Sequence, residues 1–226
     1  MKRPITPVIV IVVAVATLAG MSQLASASRL PLTPKDVAVY KLVTGQPKVL
    51  QVTATEDTWN DDQNRNTTHG NDTRLGIADA SGTACFILGS ASCTTIKNAR
   101  TYLKFDLTAL PSAATVSSAT LRLSGGPTTI GASPATSRRI TNSWNEATMV
   151  YNSRPSTSGT VVTTGTATNQ SGTMVMTFNV TTDLQNRVTS SLTNGWELQP
   201  NSTDSWWYSS EWATASQRPT LTVLYS

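Results

Sequence analysis

The chain has 226 residues, with 17 Lys and Arg against 13 Asp and Glu for a net charge of +4, six Trp, two Cys and a single His. That length is ordinary for one β-rich domain. The lack of a basic run argues against nucleic acid as a partner, and the lone histidine against a Cys/His metal centre. Abundant Thr, Ser and Asn suit strands and turns better than helices.

Lys2 and Arg3 precede an apolar run from Val8 to Leu18, and Ala25-Ser26-Ala27 comes after it. A charged start, a short apolar core and an A-x-A site predict a secretory signal peptide over residues 1–27, with export to the extracellular space and no membrane attachment after cleavage. The alternative, a retained anchor, meets a run shorter than the ~20 residues a bilayer demands. Losing Lys2 and Arg3 takes the net charge from +4 to +2, so global charge says little about partners. Residues 28–48, with Pro31, Pro34, Gly45 and Pro47, read as a linker, and the domain proper is expected over 49–226.

The first strand is expected over Val49–Ala54, then a polar stretch from Glu56 to Asp72 and a short strand at Leu75–Ile77. A hydrophilic excursion over 79–98 carries Cys85 and Cys93. In an exported chain two cysteines predict a disulfide closing a small loop, against the alternative of two free thiols. Residues 100–107 and 117–124 alternate strictly. Leu103 and Phe105 oppose Arg100, Tyr102 and Lys104, and Ala119, Leu121 and Leu123 oppose Thr120 and Arg122. Period-two alternation predicts one buried and one wet face. Further strands are expected over 136–140, 160–164, 174–180, 196–199, 205–209 and 219–225. One helix is expected from Thr182, as N-cap, through Leu192, with Gly195 as the C′ residue. Together these elements predict an all-β fold: a two-sheet antiparallel β-sandwich of jelly-roll type with one short helix.

Ordered pieces across the domain carry a family resemblance. They are Ala54–Trp59, Gly70 ahead of Arg74-Leu75-Gly76, Thr101–Leu107, Ala119–Leu123, Trp144-Asn145-Glu146, Asn152–Pro155, Gly195-Trp196, Ser210-Glu211 and Arg218–Leu221. In this set the chain resembles the DNRLRE domain, also classed as carbohydrate-binding module family 96. It departs from the pattern in the long stretch 79–98 and in Tyr151, where the family usually has tryptophan. The resemblance implies a β-sandwich that binds polysaccharide, with alginate-like uronates the known ligand class, and it does not imply catalysis.

The residues themselves offer no catalytic constellation. His69 sits in a Thr/Asn/Gly loop without a nucleophile motif. The carboxylates Asp57, Asp61, Asp62, Asp106, Glu146 and Glu211 are scattered, and only on paper do Tyr102 and Arg100 meet a lyase's needs. The chain is therefore not expected to be an enzyme. The acidic stretch Asp57–Asp62 suits a structural Ca²⁺, with Asp57 the first candidate ligand, although Asp/Asn-rich turns also form for backbone reasons. Alternation requires one of Trp206 and Trp207 to be core, while Trp212 falls in a loop. The parity of Arg100, Tyr102, Lys104 and Arg122 predicts a cationic outer face able to bind the carboxylates of an acidic polysaccharide, against the alternative of a merely solvated face. The competing function is a structural or adhesive extracellular domain without a specific glycan. The oligomeric state is left open.

Overall fold

The computed structural model describes residues 46–79, 84–87, 93–126, 135–187, 194–201 and 205–226, with the backbone alone for 84–87, 93–95 and 187. The expected signal segment, and all but the last residues of the expected linker, lie outside these.

Thirteen strands are present among the described residues. They are β1 (Lys48–Asn60), β2 (Arg74–Ile77), β3 (Ala84–Ile87), β4 (Cys93–Ile96), β5 (Arg100–Phe105), β6 (Val116–Gly125), β7 (Thr136–Ile140), β8 (Thr157–Thr164), β9 (Thr166–Gln170), β10 (Thr173–Asn179), β11 (Trp196–Gln199), β12 (Ser205–Tyr208) and β13 (Thr220–Tyr225). One helix, α1, spans Thr181–Arg187. Nine strands form a single curled antiparallel sheet in the order β8-β7-β11-β5-β1-β13-β6-β10-β9, while β12 pairs with β2 and β3 with β4. The all-β architecture expected from the sequence is the one observed.

The curl originates in β1. Its first half, Lys48–Thr53, pairs with β13, and its second half, Ala54–Asn60, pairs with β5 across an irregularity at Ala54/Glu56. A bulge bends a strand and increases its twist, so one long strand serves two layers. The halves enclose one core. Leu103, Phe105, Trp196 and Leu198 from one side meet Leu121, Leu123, Met176, Phe178, Leu221 and Val223 from the other, with Leu75, Ile77 and Trp207 closing an end. Phe105 and Trp196 rings lie 6.1 Å apart, tilted, within the favourable range for aromatic pairs.

Two local expectations are corrected. The stretch Glu56–Asn60, part of the expected polar stretch, continues β1, because its backbone pairs with β5 from Glu56↔Lys104 to Asn60↔Arg100. The helix begins at Thr181 and not after a Thr182 cap; the Asn179 carboxamide accepts from the Thr181 amide 3.1 Å away. Residues 188–193 of the expected helix lie outside the described ones. Gly195 has φ +78°, and a Cβ there would stand 1.8 Å from the Leu103 carbonyl oxygen, so only glycine lets this segment enter the sheet.

The excursion 79–98 contains the β3–β4 hairpin. Its register sets Cys85 opposite Thr95 and Cys93 opposite Ile87, so the two cysteines occupy diagonal positions of the ladder. The side chains of both cysteines, and with them the expected disulfide, lie outside what the structure describes.

Candidate functional site

Directly opposed residues in a sheet share a face. On the outer face of the β1–β5–β11–β7 half, Thr58, Tyr102, Glu197 and Arg138 form one row, flanked by Glu56 with Lys104 and by Asn60 with Arg100. This is the face expected to be wet, and the structure makes it two different places.

At one end the face is covered. Tyr102 is fully buried, packed with Ile140, Met149 and Trp144 in a small second core. Burial, and then the Glu197 carboxylate, push the Tyr102 phenol far above its ordinary range. The reading of Tyr102 as part of an exposed ligand-binding face is corrected: the segment after β7 folds back over it. Lys104 bonds Glu56 at 2.6 Å and the Trp144 carbonyl at 2.7 Å, with its ammonium 4.6 Å from the Trp144 ring centre. These contacts commit it to holding that cover.

At the other end the face is open. Arg100, with about a third of its side chain exposed, donates to Glu197 Oε1 at 3.2 Å. Gln199 donates its amide to the same oxygen, and Gln199 Oε1 accepts from Arg138 Nε at 3.2 Å. Arg138 Nη1 donates to the Gly159 carbonyl at 2.7 Å. One guanidinium, that of Arg100, therefore meets the carboxylate, and the second, that of Arg138, is linked to it only through the Gln199 amide, so the partners that Arg138 bonds are neutral. Beside Arg100 and Gln199, a depression of 140 Å³ is bounded by Asp79, Asn98 and Pro200. This is small against the ~300–1,000 Å³ of enclosed small-molecule sites and suits a surface that contacts an extended chain. Arg138 escaped the sequence reading, although the parity of β7, with Thr136, Arg138 and Ile140 together, carried the signal.

Arg122 is not part of this cluster. Two strands, β1 and β13, separate β6 from β5, and Arg122 Nη1 donates to the Ser216 carbonyl at 3.4 Å. The expected four-residue face reduces to Arg100, with Arg138 added, since Lys104 is committed to the cover.

Several other aromatics among the described residues are engaged in packing and loop contacts. Trp207 is core and Trp206 half-buried, as alternation requires. Trp212 stacks on Tyr208 at 4.0 Å and donates to Gln217 Oε1 at 2.9 Å. Tyr151 carries the Arg154 guanidinium at 3.8 Å and that of Arg65 at 5.0 Å from its ring centre. His69 stacks on Trp59 at 3.9 Å, and its Nδ1 lies 2.8 Å from Asp72 Oδ2. Its contacts tie a loop. A second depression of 320 Å³, between β8 and α1, includes Arg139, which is ion-paired with Asp183 at 3.4 Å and so brings no surplus charge.

Asp57 lies on the opposite face of β1, only 1% exposed. Its backbone amide donates to Glu146 Oε2 at 2.8 Å, and its Oδ2 accepts from the Ser210 amide at 2.8 Å. Burial first, then the Glu211 charge, raise its pKa to about 8. Burial also raises Glu146. Perturbed carboxyls often mark catalysis, but one sealed from solvent cannot touch a substrate. Among the described residues no three His, Cys, Asp or Glu side chains already converge as a metal cage.

An all-β sandwich with a polar, partly open sheet face has the form of a binding domain. The chain belongs to carbohydrate-binding module family 96, whose sequence profile matches residues 48–225. A comparison with curated proteins found no significant match.

Proposed function

We propose that this chain is an exported, non-catalytic module that binds an acidic polysaccharide, of the uronate or alginate-like class, along the outer face of β5, β11 and β7. One observation supports the reading above others. Arg100 is ion-paired with Glu197, whereas Arg138, bonded to the neutral Gln199 and to the Gly159 carbonyl, keeps a charge to offer beside a shallow polar depression. Arginine forks match carboxylates bidentately, and Asn98, Gln199 and Asp79 offer donors and acceptors for sugar hydroxyls. Family membership supports the carbohydrate partner. Acidity is inferred from the arginine charge.

Binding titrations with oligouronates and neutral glucans test this. Arg138→Ala, which orphans no carboxylate, should weaken oligouronate binding by about tenfold, the equivalent of one charge-assisted contact. Affinity should fall as salt rises, since exposed charges are screened over ~8 Å at physiological ionic strength. Unchanged affinity in Arg138→Ala, or equal salt-independent binding of neutral glucans, would overturn the assignment. Silence toward every glycan tested would favour the structural role.

A further inference from the structure

The buried side of β1 gathers more carboxyl groups than the cations among the described residues pair with. Asp57, Glu146 and Glu211 come from chain segments roughly ninety and sixty-five residues apart, yet one hydrogen-bond chain connects them. The Asp57 amide donates to Glu146 Oε2, the Ser210 amide to Asp57 Oδ2, and Ser210 Oγ to Glu211 Oε1, each at 2.8 Å. Glu56 lies alongside, its Oε2 accepting from the Glu146 amide at 3.3 Å, but Glu56 is matched by Lys104. Among the described residues no cation lies within ion-pair distance of the other three, and Lys104 acts on Glu146 only through its field. Asp57 Oδ1 and Glu211 Oε2 are each buried with no hydrogen-bond partner among these residues. Buried polar atoms are nearly always satisfied, and a buried carboxylate oxygen left bare beside two further carboxylates is especially costly.

We propose that Asp57 Oδ1 and Glu211 Oε2, with the Glu146 carboxylate, bind a divalent cation, and that Ca²⁺ is the ion they suit. Every donor is a hard oxygen, which turns away thiophilic metals and those that favour imidazole. Calcium accepts six to eight oxygens in irregular geometry and completes its shell with carbonyls and water, whereas Mg²⁺ demands a near-regular octahedron. The irregular fit matters here, because the three carboxylates do not already stand as a finished cage. Glu211 and Glu146 are both half-buried, so both can draw in while Asp57 stays fixed by the strand. The ion would clamp β1, the segment at 144–147 and the turn at 209–212. The second of these includes Trp144, which covers Tyr102 on the other face of the sheet. The site is separate from the glycan face, since Asp57 pairs across the sheet with Leu103 and not with Arg100 or Tyr102.

Calorimetric titration of Ca²⁺ into the chelator-treated full chain should show one ion bound per molecule, with a rise in the thermal midpoint on adding Ca²⁺ and a fall with EDTA. Glu211→Gln, at a half-buried position that tolerates the change, should weaken Ca²⁺ by about tenfold or more, since carboxylate count tunes affinity at such sites. Asp57→Asn should do the same and abolish the Ca²⁺-dependent gain in midpoint. No heat up to millimolar Ca²⁺, together with a midpoint indifferent to EDTA, would overturn the proposal and assign the bare oxygens to a shared proton. Equal Ca²⁺ affinity in wild type and both variants would overturn it too. Oligouronate binding by Arg138→Ala reads the other face, so the two assignments can fail independently.

Discussion

The two halves of the curled sheet obey the same alternation and end up in different environments. In the β13–β6–β10 half, Leu121, Leu123, Phe178 and Leu221 face the core, while Thr120, Arg122, Thr177, Thr220 and Thr222 stay half-exposed on the other side. In the β1–β5–β11 half, Thr58, Asn60, Tyr102 and Glu197 occupy the position equivalent to that outer row and are all buried. The difference arises outside the strands. The segment after β7 folds over the second half and brings Trp144, Met149 and Arg154 onto it. An outer face is wet only if nothing later in the chain lies on it.

The largest expected effect separates these faces directly. Tyr102→Ala removes a fully buried ring and should cost about 3–5 kcal/mol in urea denaturation, as aromatic truncations in a packed core do. Arg122→Ala, the matched change on the open half, should stay within about 0.5 kcal/mol. Equal, small losses would mean the cover over Tyr102 does not hold in solution.

The buried carboxyl of the second half offers a pH test. In EDTA, folded Asp57 keeps its proton up to about pH 8, whereas the unfolded chain releases it near pH 4. Between those values the folded state binds more protons, so stability should decline as pH rises from 4 to 8 and level off above 8. The urea midpoint at pH 5 should exceed that at pH 9, and Asp57→Asn should flatten the slope. A midpoint that rises over this range in the wild-type chain would contradict the burial.

A smaller effect sharpens the contrast within the second half itself. Arg100→Ala takes the counter-charge from the buried Glu197 carboxylate, which keeps the Gln199 amide as a neutral donor. Partner removal at a buried pair costs ~3–5 kcal/mol, and exposure of the Arg100 side screens this to about 2 kcal/mol. Arg100→Ala combined with Glu197→Gln should recover much of the loss, which a double-mutant cycle would measure. No recovery would mean Arg100 acts through its stem packing and not its charge.

By itself the sequence determined the all-β class, the core parity of β6, the burial of one tryptophan in the Trp206-Trp207 pair and the family, because each is written in local alternation or in an ordered set of short pieces. It also singled out Asp57 as a candidate ligand and Arg100 as a candidate contact. Only the tertiary structure decided which strands are neighbours. It set Arg122 several strands away from Arg100 and brought Arg138 to Glu197. It moved Tyr102 from the expected outer face into a small core, and it gathered Glu146 and Glu211 around Asp57. The physical reason is range. A period of two is set by the pleat of a single strand, whereas strand order, the bend at Ala54/Glu56 and the fold-back over β5 are set by pairings between residues tens of positions apart, which no local pattern encodes.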